Sequence, residues 1–600
     1  DGVAGQTSVD AEQPAAQTSS KARKQLDQPE AKSVGVEELL AWLAAQRGTV
    51  GFAVSAGGDF GDPITELGFA TETESLAFSP RSEAEVSGLA AWLSDEASKK
   101  AGFDFKSAFK HFMRLGISPA GFDYDALLLA YLVNPVRRGY DINELAAEYL
   151  GLTVKRSDPN VLVADAHASC AVDAWLALVL AEELHEQVGE QQQLRVYSEV
   201  ELPSSSTLAR MEFTGIQVNR EQLERLQTEL SSEANEVAQD AYALIGREIN
   251  LASPKQLQTV LFDELGMSGT KSIKTGFSTN AEALATLFEQ TQHPFLEKLL
   301  AHRDATKLRQ MVETILKSIG SDGRIHTTYS QTGTSTGRLS SENPNLQNIP
   351  IKSERGREMR HAFEFSAGFE TLLTADYSQI EMRIMAHLSE DEGLIEAFNT
   401  GEDLHRFVGA RIFGVEPSAV TAPMRSKVKA MSYGLVYGLS EYGLAKQLRI
   451  SNAEAKQLMA DYFARFGGVR RYLAKVVDEA KQDGFTVTQL GRRRPFDDLN
   501  SKIFQLRENA RRAALNAPIQ GTAADIMKIA MNRVFDAMQA AGLKSRMLLQ
   551  VHDELVFEVA PGELEAMRKL VVEQMQSAAE LSVPLEVHVG VGANWDDAGH

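Results

Sequence analysis

The chain of 600 residues carries 61 basic and 82 acidic side chains, a formal net charge of −21, with 43% hydrophobic and 24% charged residues. That mixture excludes a wholly disordered or collagen-like chain, and no apolar run reaches the ~20 residues a bilayer span requires. A single cysteine, Cys170, excludes an internal disulfide framework and a thiolate-rich metal site, in keeping with a reducing cytoplasm.

At ~150 residues per domain, the length predicts about four domain-sized units. Residues 1–33 hold no aromatic residue and no isoleucine, so they are expected to form a disordered tail or linker. They lack the apolar stretch of a secretory signal. The chain starts at Asp1 rather than Met, which points to a piece of something longer. In 34–190, strand-like TVGFAVSA and ITELGFATE mix with amphipathic EVSGLAAWLSDEA and AVDAWLALVLAEEL, predicting one α/β domain. Residues 191–320 read as mainly helical, and 321–600 as mixed.

The segment LLTADYSQIEMRIMAHLS (372–389) reads as a short buried strand and then a helix, because Ile380, Ile384 and Leu388 recur every four residues. Asp376 falls at the strand end, a frequent address for a catalytic carboxylate; an ordinary helix N-cap is the other reading. In MLLQVHDELVFEVA (547–560), two apolar strands flank His552, Asp553 and Glu554, which predicts a hairpin with two carboxylates at its tip. Turns favour acids on their own account. Strands this apolar nevertheless belong against a core, where clustered negative charge must be neutralised, and a hard divalent cation with oxygen ligands does so. Asp376 and Asp553 lie 177 residues apart, so only a fold that joins the two tips makes a metal site.

Thr421 and Pro423 open a helix in TAPMRSKVKAMSYGLVYG (421–438). Arg425, Lys429, Tyr433 and Tyr437 then follow at every fourth position, a step that rises ~6 Å and drifts only ~40° around the axis. Two cations on such a stripe match successive phosphates of a triphosphate, and an aromatic beyond them offers a base a stacking surface. A solvated basic face with core tyrosines is the alternative. The polar, proline-punctuated STGRLSSENPNLQNIP (335–350) is loop-like and offers donors at Arg338, Asn345, Gln347 and Asn348. KSERGREMR (352–360) has four cations against two acids, and GRRRPFDDLNSKIFQLRENARR (491–512) seven against three, followed by Asn516 and Gln520. These basic stretches, hidden by the acidic total, are the footprint of a nucleic-acid partner or else solvated helix faces.

Taken together, the DYSQIEMR, RxxxKxxxYGxxYG, VHDE, TGRLSS…PNLQNIP and RRAALNAPIQGTAADI segments resemble the bacterial DNA polymerase I family, the A family of DNA polymerases. The resemblance implies an α+β multidomain fold: a right-hand polymerase of palm, fingers and thumb, preceded by an α/β ribonuclease H-like exonuclease-type domain. It implies a thumb in 191–320, palm in 321–407 and 526–600, fingers in 408–525, and a degenerate 3′–5′ exonuclease-like domain in 34–190. The 5′-nuclease domain of the family would precede this chain. The implied reaction is primer extension with dNTPs on a DNA template, in DNA repair and replication. Asp376 and Asp553 would hold two Mg²⁺ ions, with Mn²⁺ able to substitute, and Glu554 would be secondary. Arg425, Lys429, His405 and Gln379 would grip the triphosphate, Lys429 also protonating the leaving group. Tyr433 would stack on the incoming base and Tyr437 pack near the template. Glu381 would close the space of a 2′-hydroxyl; an exposed helical Glu paired with Arg383 is the plain alternative. Arg338, Arg512, Asn516 and Gln520 would test base-pair shape in the minor groove, where every pair presents acceptors. Asn345, Gln347, Asn348 and His552 are further DNA contacts on the same resemblance. Many members carry Phe where this chain has Tyr433, and the extra hydroxyl implies weak discrimination against dideoxynucleotides. The implied partners are primer–template DNA and dNTPs, with no membrane, the chain acting as a monomer beside other repair or replication proteins in the cytoplasm.

The exonuclease chemistry of the family needs carboxylates around two metals. Here the first strand, GFAVSAGG, has neither expected acid. GFDFKSAF puts Ala108, and HASCAVDAW puts His167 and Ala171, where chemistry-bearing residues are expected. Loss of proofreading follows, although Asp104, Asp123 and Asp173 remain. Three rivals stand beside the main reading. They are an RNA polymerase or reverse transcriptase on the same scaffold, a non-catalytic DNA-binding scaffold, and a nuclease using the same metals.

Overall fold

Glycines set the layering of the N-terminal domain. In the computed structural model, which describes residues 25–154, 169–401 and 403–599, six strands form one sheet. They are β1 (Ala31–Ser33), β2 (Val50–Ala56), β3 (Ile64–Ala70), β4 (Ser75–Phe78), β5 (Lys100–Gly102) and β6 (Phe122–Asp125), in the order β1-β4-β3-β2-β5-β6. Helices α1 (Phe105–Arg114) and α2 (Ala126–Val133) follow β5 and β6, and α3 (Ser169–Glu190) lies across the sheet. A Cβ at Gly51 would stand 2.2 Å from the Ala174 carbonyl oxygen, and one at Gly68 1.9 Å from that of Cys170. Only glycine lets the helix backbone approach that closely.

Two expectations are corrected here. The tail does not run to residue 33: β1 pairs in parallel with β4, Ala31 opposite Ser75. Edge pairing satisfies backbone groups and needs no large side chain, so composition could not reveal it. EVSGLAAWLSDEA is not one helix but two short ones, Glu83–Ser87 and Ala90–Leu93, divided at Gly88, a poor helix former. The expected lower tail, residues 1–24, and His167 lie outside the described residues.

After the π-helical turn Tyr197–Glu201 comes α4 (Leu202–Thr214), then α5 (Arg220–Ile245), which packs on α6 (Pro294–Lys317) in the expected thumb segment. Asn219 caps α5 by accepting from the Gln222 N–H. The central sheet is built from β7 (Thr371–Tyr377), β8 (Arg546–Val551), β9 (Glu554–Val559) and β10 (Val587–Gly592), all antiparallel neighbours in the order β8-β9-β7-β10. Five consecutive buried residues, Thr371–Ala375, account for the absence of polar–apolar alternation in β7. One core joins this sheet to α7 (Ile380–Ser389) and to the 37-residue α10 (Phe504–Ala540) through Leu373, Ile384, Met527 and Phe557.

The fingers segment contributes α8 (Leu404–Phe413) and α9 (Ala422–Val436). Val428, Met431 and Leu435 of α9 enter the core beside Phe407 and Val408, each contributing about 1.5–3 kcal/mol of transfer free energy. The expected domain limits at 407/408 and 525/526 fall inside α8 and α10. The expected palm and fingers segments therefore meet within continuous helical rods, which segment composition does not mark. Helix α11 (Trp595–Ala598) closes the chain against β10.

Candidate active site

The two acidic tips meet. Asp376, sixth residue of β7, stands opposite Glu554 of β9 in register, and the Tyr377 N–H donates to the Asp553 carbonyl at 3.3 Å. The β8–β9 hairpin turns on His552 and Asp553, with His552 in the left-handed region at φ 54°. Asp376, Asp553 and Glu554 line one cleft of about 220 Å³ together with His552, Arg360 and Trp595. Burial raises the Asp553 carboxyl above the ordinary carboxylate range, against the opposing pull of Arg338 and His552. Glu554 accepts from the Trp595 indole N–H at 2.8 Å, which ties α11 to the tip and gives Glu554 a structural contact.

With its apolar side in the core, α9 turns the cationic stripe outward. Thr421 caps it by accepting from the Met424 N–H at 3.3 Å. The Arg425 guanidinium is held on Asp403, Nη2 to Oδ2 at 2.9 Å and Nε to Oδ1 at 3.2 Å, while Lys429 is exposed. Tyr433 is half-buried with its ring centroid 6.1 Å from that of His405. Burial, Glu381 and Asp553 together raise its hydroxyl pKa. Tyr437 lies one residue past the helix as its C-cap and is 48% exposed. Gln379 starts α7 from a left-handed conformation at φ 52°.

His405 is 1% exposed, and neither ring nitrogen has a hydrogen-bond partner among the described residues. Burial first, then Arg425 and Lys429, lower its pKa to about 4. The unfolded imidazole, near its ordinary 6.5, takes up a proton that the folded one refuses, so this group withdraws stability as pH falls from about 6.5 towards 4. His405→Phe should flatten that part of the slope, read as the wild-type minus variant difference in urea midpoint across the window.

Glu381 is 7% exposed and is clamped. Arg338 Nη2 donates to its Oε1 at 2.6 Å and the Tyr437 hydroxyl to its Oε2 at 3.3 Å. The plain reading of an exposed Glu on Arg383 is thereby overturned, because Arg383 bonds instead to Glu586 at 2.8 Å and to the Ser378 carbonyl. Burial raises the Glu381 pKa, with Arg338 pulling the other way.

A larger cleft of about 620 Å³ runs alongside, lined by Arg338, Gln347, Gln520, His552 and Asp553. His552 Nε2 meets the Gln347 carbonyl at 3.1 Å. Asn345 and Asn348 are exposed beside it, outside the lining. Asn516 Nδ2 donates to Gln520 at 3.1 Å. Arg512 packs under Gly438, where φ is +66° and a Cβ would stand 3.1 Å from the Arg512 Cα, so glycine suits the turn after α9. Arg494 and Lys528 also line this cleft and were not foreseen. The available signal for Lys528 was a cation amid the apolar DIMKIAM run. Trp595 carried no such signal.

In the N-terminal domain the acids make local contacts. Asp104, two residues past β5, precedes α1, with the Ala108 position one turn into that helix. It is left-handed at φ 62° and accepts from the Ser107 hydroxyl at 2.6 Å. Buried Asp125 accepts from the Asp104, Phe105 and Leu127 N–H groups, each at 3.0 Å, and burial raises its pKa to about 7. Asp123 pairs with Lys99 at 2.7 Å. Among the described residues, the metal-ligand cluster of three or more groups is His361, Asp596 and Asp597, outside this domain.

A mixed sheet crossed by a helix, followed by a four-stranded acidic-tipped sheet under a cationic helix, is the architecture of a right-hand polymerase with a ribonuclease H-like domain before it. The DNA polymerase family A profile matches residues 220–597, and that of the DNA polymerase I ribonuclease H-like domain residues 60–170. The chain belongs to DNA polymerase family A. DNA polymerase I of Mycobacterium tuberculosis H37Rv is 52% identical over 522 residues, covering 85% of this chain and 58% of that protein. The Geobacillus stearothermophilus enzyme is 40% identical over 550 residues, 89% of this chain and 62% of its own length. The POL domain of Pol1 from M. smegmatis, solved in complex with DNA primer-template and dNTP, superimposes with a TM-score of 0.89 at 50% identity, covering 95% of this chain and all of that one. The chain thus spans less than two thirds of the length of these curated relatives.

Proposed function

We propose that this chain extends a primer 3′ end with dNTPs on a DNA template, by in-line phosphoryl transfer. The carrying observation is the convergence of Asp376 and Asp553 on one cleft, with the last member of the stripe, Tyr437, hydrogen-bonded to Glu381 on the helix that follows Asp376. The solved relative bound to primer-template and dNTP supports these substrates.

Asp376 and Asp553 are hard oxygen donors, and the charge of buried Asp553 needs an opposing cation, which fits a divalent metal. Asp376 and Asp553 would hold two Mg²⁺ ions, whose positive charge would ease ionisation of the primer 3′-hydroxyl and neutralise the departing pyrophosphate. Mn²⁺ is the natural substitute. Arg425, released from Asp403, and Lys429 grip the triphosphate with Gln379, and Lys429 protonates the leaving group. Neutral His405 donates one ring N–H. Tyr433 stacks on the base, and Tyr437 packs near the template. Arg338, Arg512, Asn516 and Gln520 test minor-groove shape, while Asn345, Gln347, Asn348 and His552 contact the strands. Glu554 supports the tip. Positioning and charge neutralisation carry most of the rate.

Templated extension with each dNTP in turn, with and without Mg²⁺, tests the reading. Addition dictated by the template base and abolished by chelation supports it; untemplated or metal-independent addition rejects it. Glu381→Ala should raise ribonucleotide relative to deoxyribonucleotide incorporation by about 10- to 100-fold, measured as the ratio of kcat/KM values. An unchanged ratio assigns Glu381 to structure alone.

The degenerate N-terminal domain is read as a buttress without proofreading, since Asp104 accepts from the Ser107 hydroxyl, Asp125 from backbone N–H groups, and Asp123 pairs with Lys99. A 3′-labelled primer incubated with Mg²⁺ and no nucleotides should keep its label, and steady release would reverse this reading. A role in repair and replication, action as a monomer, other replication proteins as partners and a cytoplasmic setting complete the proposal. No described helix is long and apolar enough to cross a membrane.

A further inference from the structure

The loop that carries Arg338 is held from outside the polymerase region. Tyr131, on α2 of the ribonuclease H-like domain, is fully buried and donates its hydroxyl to the Thr334 carbonyl at 2.6 Å. Thr334 in turn donates its own hydroxyl to the Arg338 carbonyl at 2.7 Å. From beneath, Gly337 rests on the Arg492 guanidinium: at its φ of +97°, a Cβ would stand 2.7 Å from Arg492 Nε. That guanidinium cannot give way, because it bonds to Asp525 at 2.8 Å and to Glu201 at 2.5 Å. Glu201 also receives Lys528 at 2.7 Å. A third side is closed by α10, where a Cβ on Gly521 would lie 3.1 Å from the Thr336 carbonyl.

We propose that the ribonuclease H-like domain acts on polymerisation as a positioning element, with Tyr131 and Thr334 setting the backbone from which Arg338 reaches the cleft. The proposal rests on the minor-groove role assigned to Arg338 above. It gives a domain whose acids make local contacts a present function in the polymerase reaction. Tyr131 touches no substrate in this arrangement and works through Thr334 and Arg338.

Single-turnover extension of a paired primer terminus tests it, using the full chain. Tyr131→Phe and Thr334→Val should each slow nucleotide addition about three- to tenfold, the rate equivalent of one hydrogen bond, with the dNTP KM unchanged. In an Arg338→Ala background, Tyr131→Phe should cause no further loss. Wild-type rates in both single variants overturn the proposal. An equal fold-loss with and without Arg338 also overturns it, since that marks a general structural effect. If Arg338→Ala alone extends like wild type, the minor-groove role fails first and this proposal falls with it. A loss in Tyr131→Phe regained by raising dNTP places the effect on nucleotide binding and overturns it too. Thr334→Val keeps the test open should Tyr131→Phe fold poorly.

Discussion

Asp376→Ala should reduce primer extension by at least about a thousandfold, because the catalytic cation contributes several kcal/mol of charge stabilisation and each 1.36 kcal/mol is tenfold in rate. Asp553→Asn should do the same. Affinity for primer–template should change little in either, as it rests on the basic loops and helix faces rather than on the acids. Asp553→Asn carries a second signature. Burial raises the Asp553 pKa, so its ionised form costs the fold stability at neutral pH, a cost absent only below its unfolded pKa. The neutral amide should therefore raise the melting temperature of the metal-free protein at pH 7 while abolishing activity. Extension at wild-type rates by either variant would remove the proposed site.

Arg492→Ala should destabilise the protein by about 3–5 kcal/mol, the range for breaking a buried charge network on one side. Arg492 is 4% exposed, and Glu201 and Asp525 are fully buried. Its removal leaves Lys528 alone to balance two carboxylates. Asp525 keeps the Thr488 hydroxyl at 2.9 Å, and Glu201 the Gln331 amide at 3.2 Å, contacts that lessen the loss without neutralising charge. Burial raises the Asp525 pKa, so protonation relieves part of the penalty, and the deficit should shrink as pH falls from 7 to 5. Urea unfolding at the two pH values measures both. A cost below about 1 kcal/mol, typical of exposed pairs, would mean that water reaches the cluster.

Local pattern made much of the site legible. The four-residue recurrence of Ile380, Ile384 and Leu388 marked α7, and the apolar flanks of His552-Asp553-Glu554 marked the hairpin. Both signals arise within a dozen residues, where backbone period and burial are coupled. The clamp on Glu381 was not legible, because Arg338 and Tyr437 reach it from 43 and 56 residues away. Nor was the Glu201–Arg492–Asp525–Lys528 cluster, whose members come from three separate stretches.

Sequence by itself determined which residues bear charge, which runs must be buried and where helices start, since these depend on side-chain chemistry and near-neighbour periodicity. Tertiary structure alone decided that Asp376 and Asp553 share a cleft, that Arg425 rests on Asp403, and that a helix of the ribonuclease H-like domain holds the Arg338 loop. Those contacts form between residues far apart in the chain, and their energy exists only once packing has excluded water and brought them within a few ångströms.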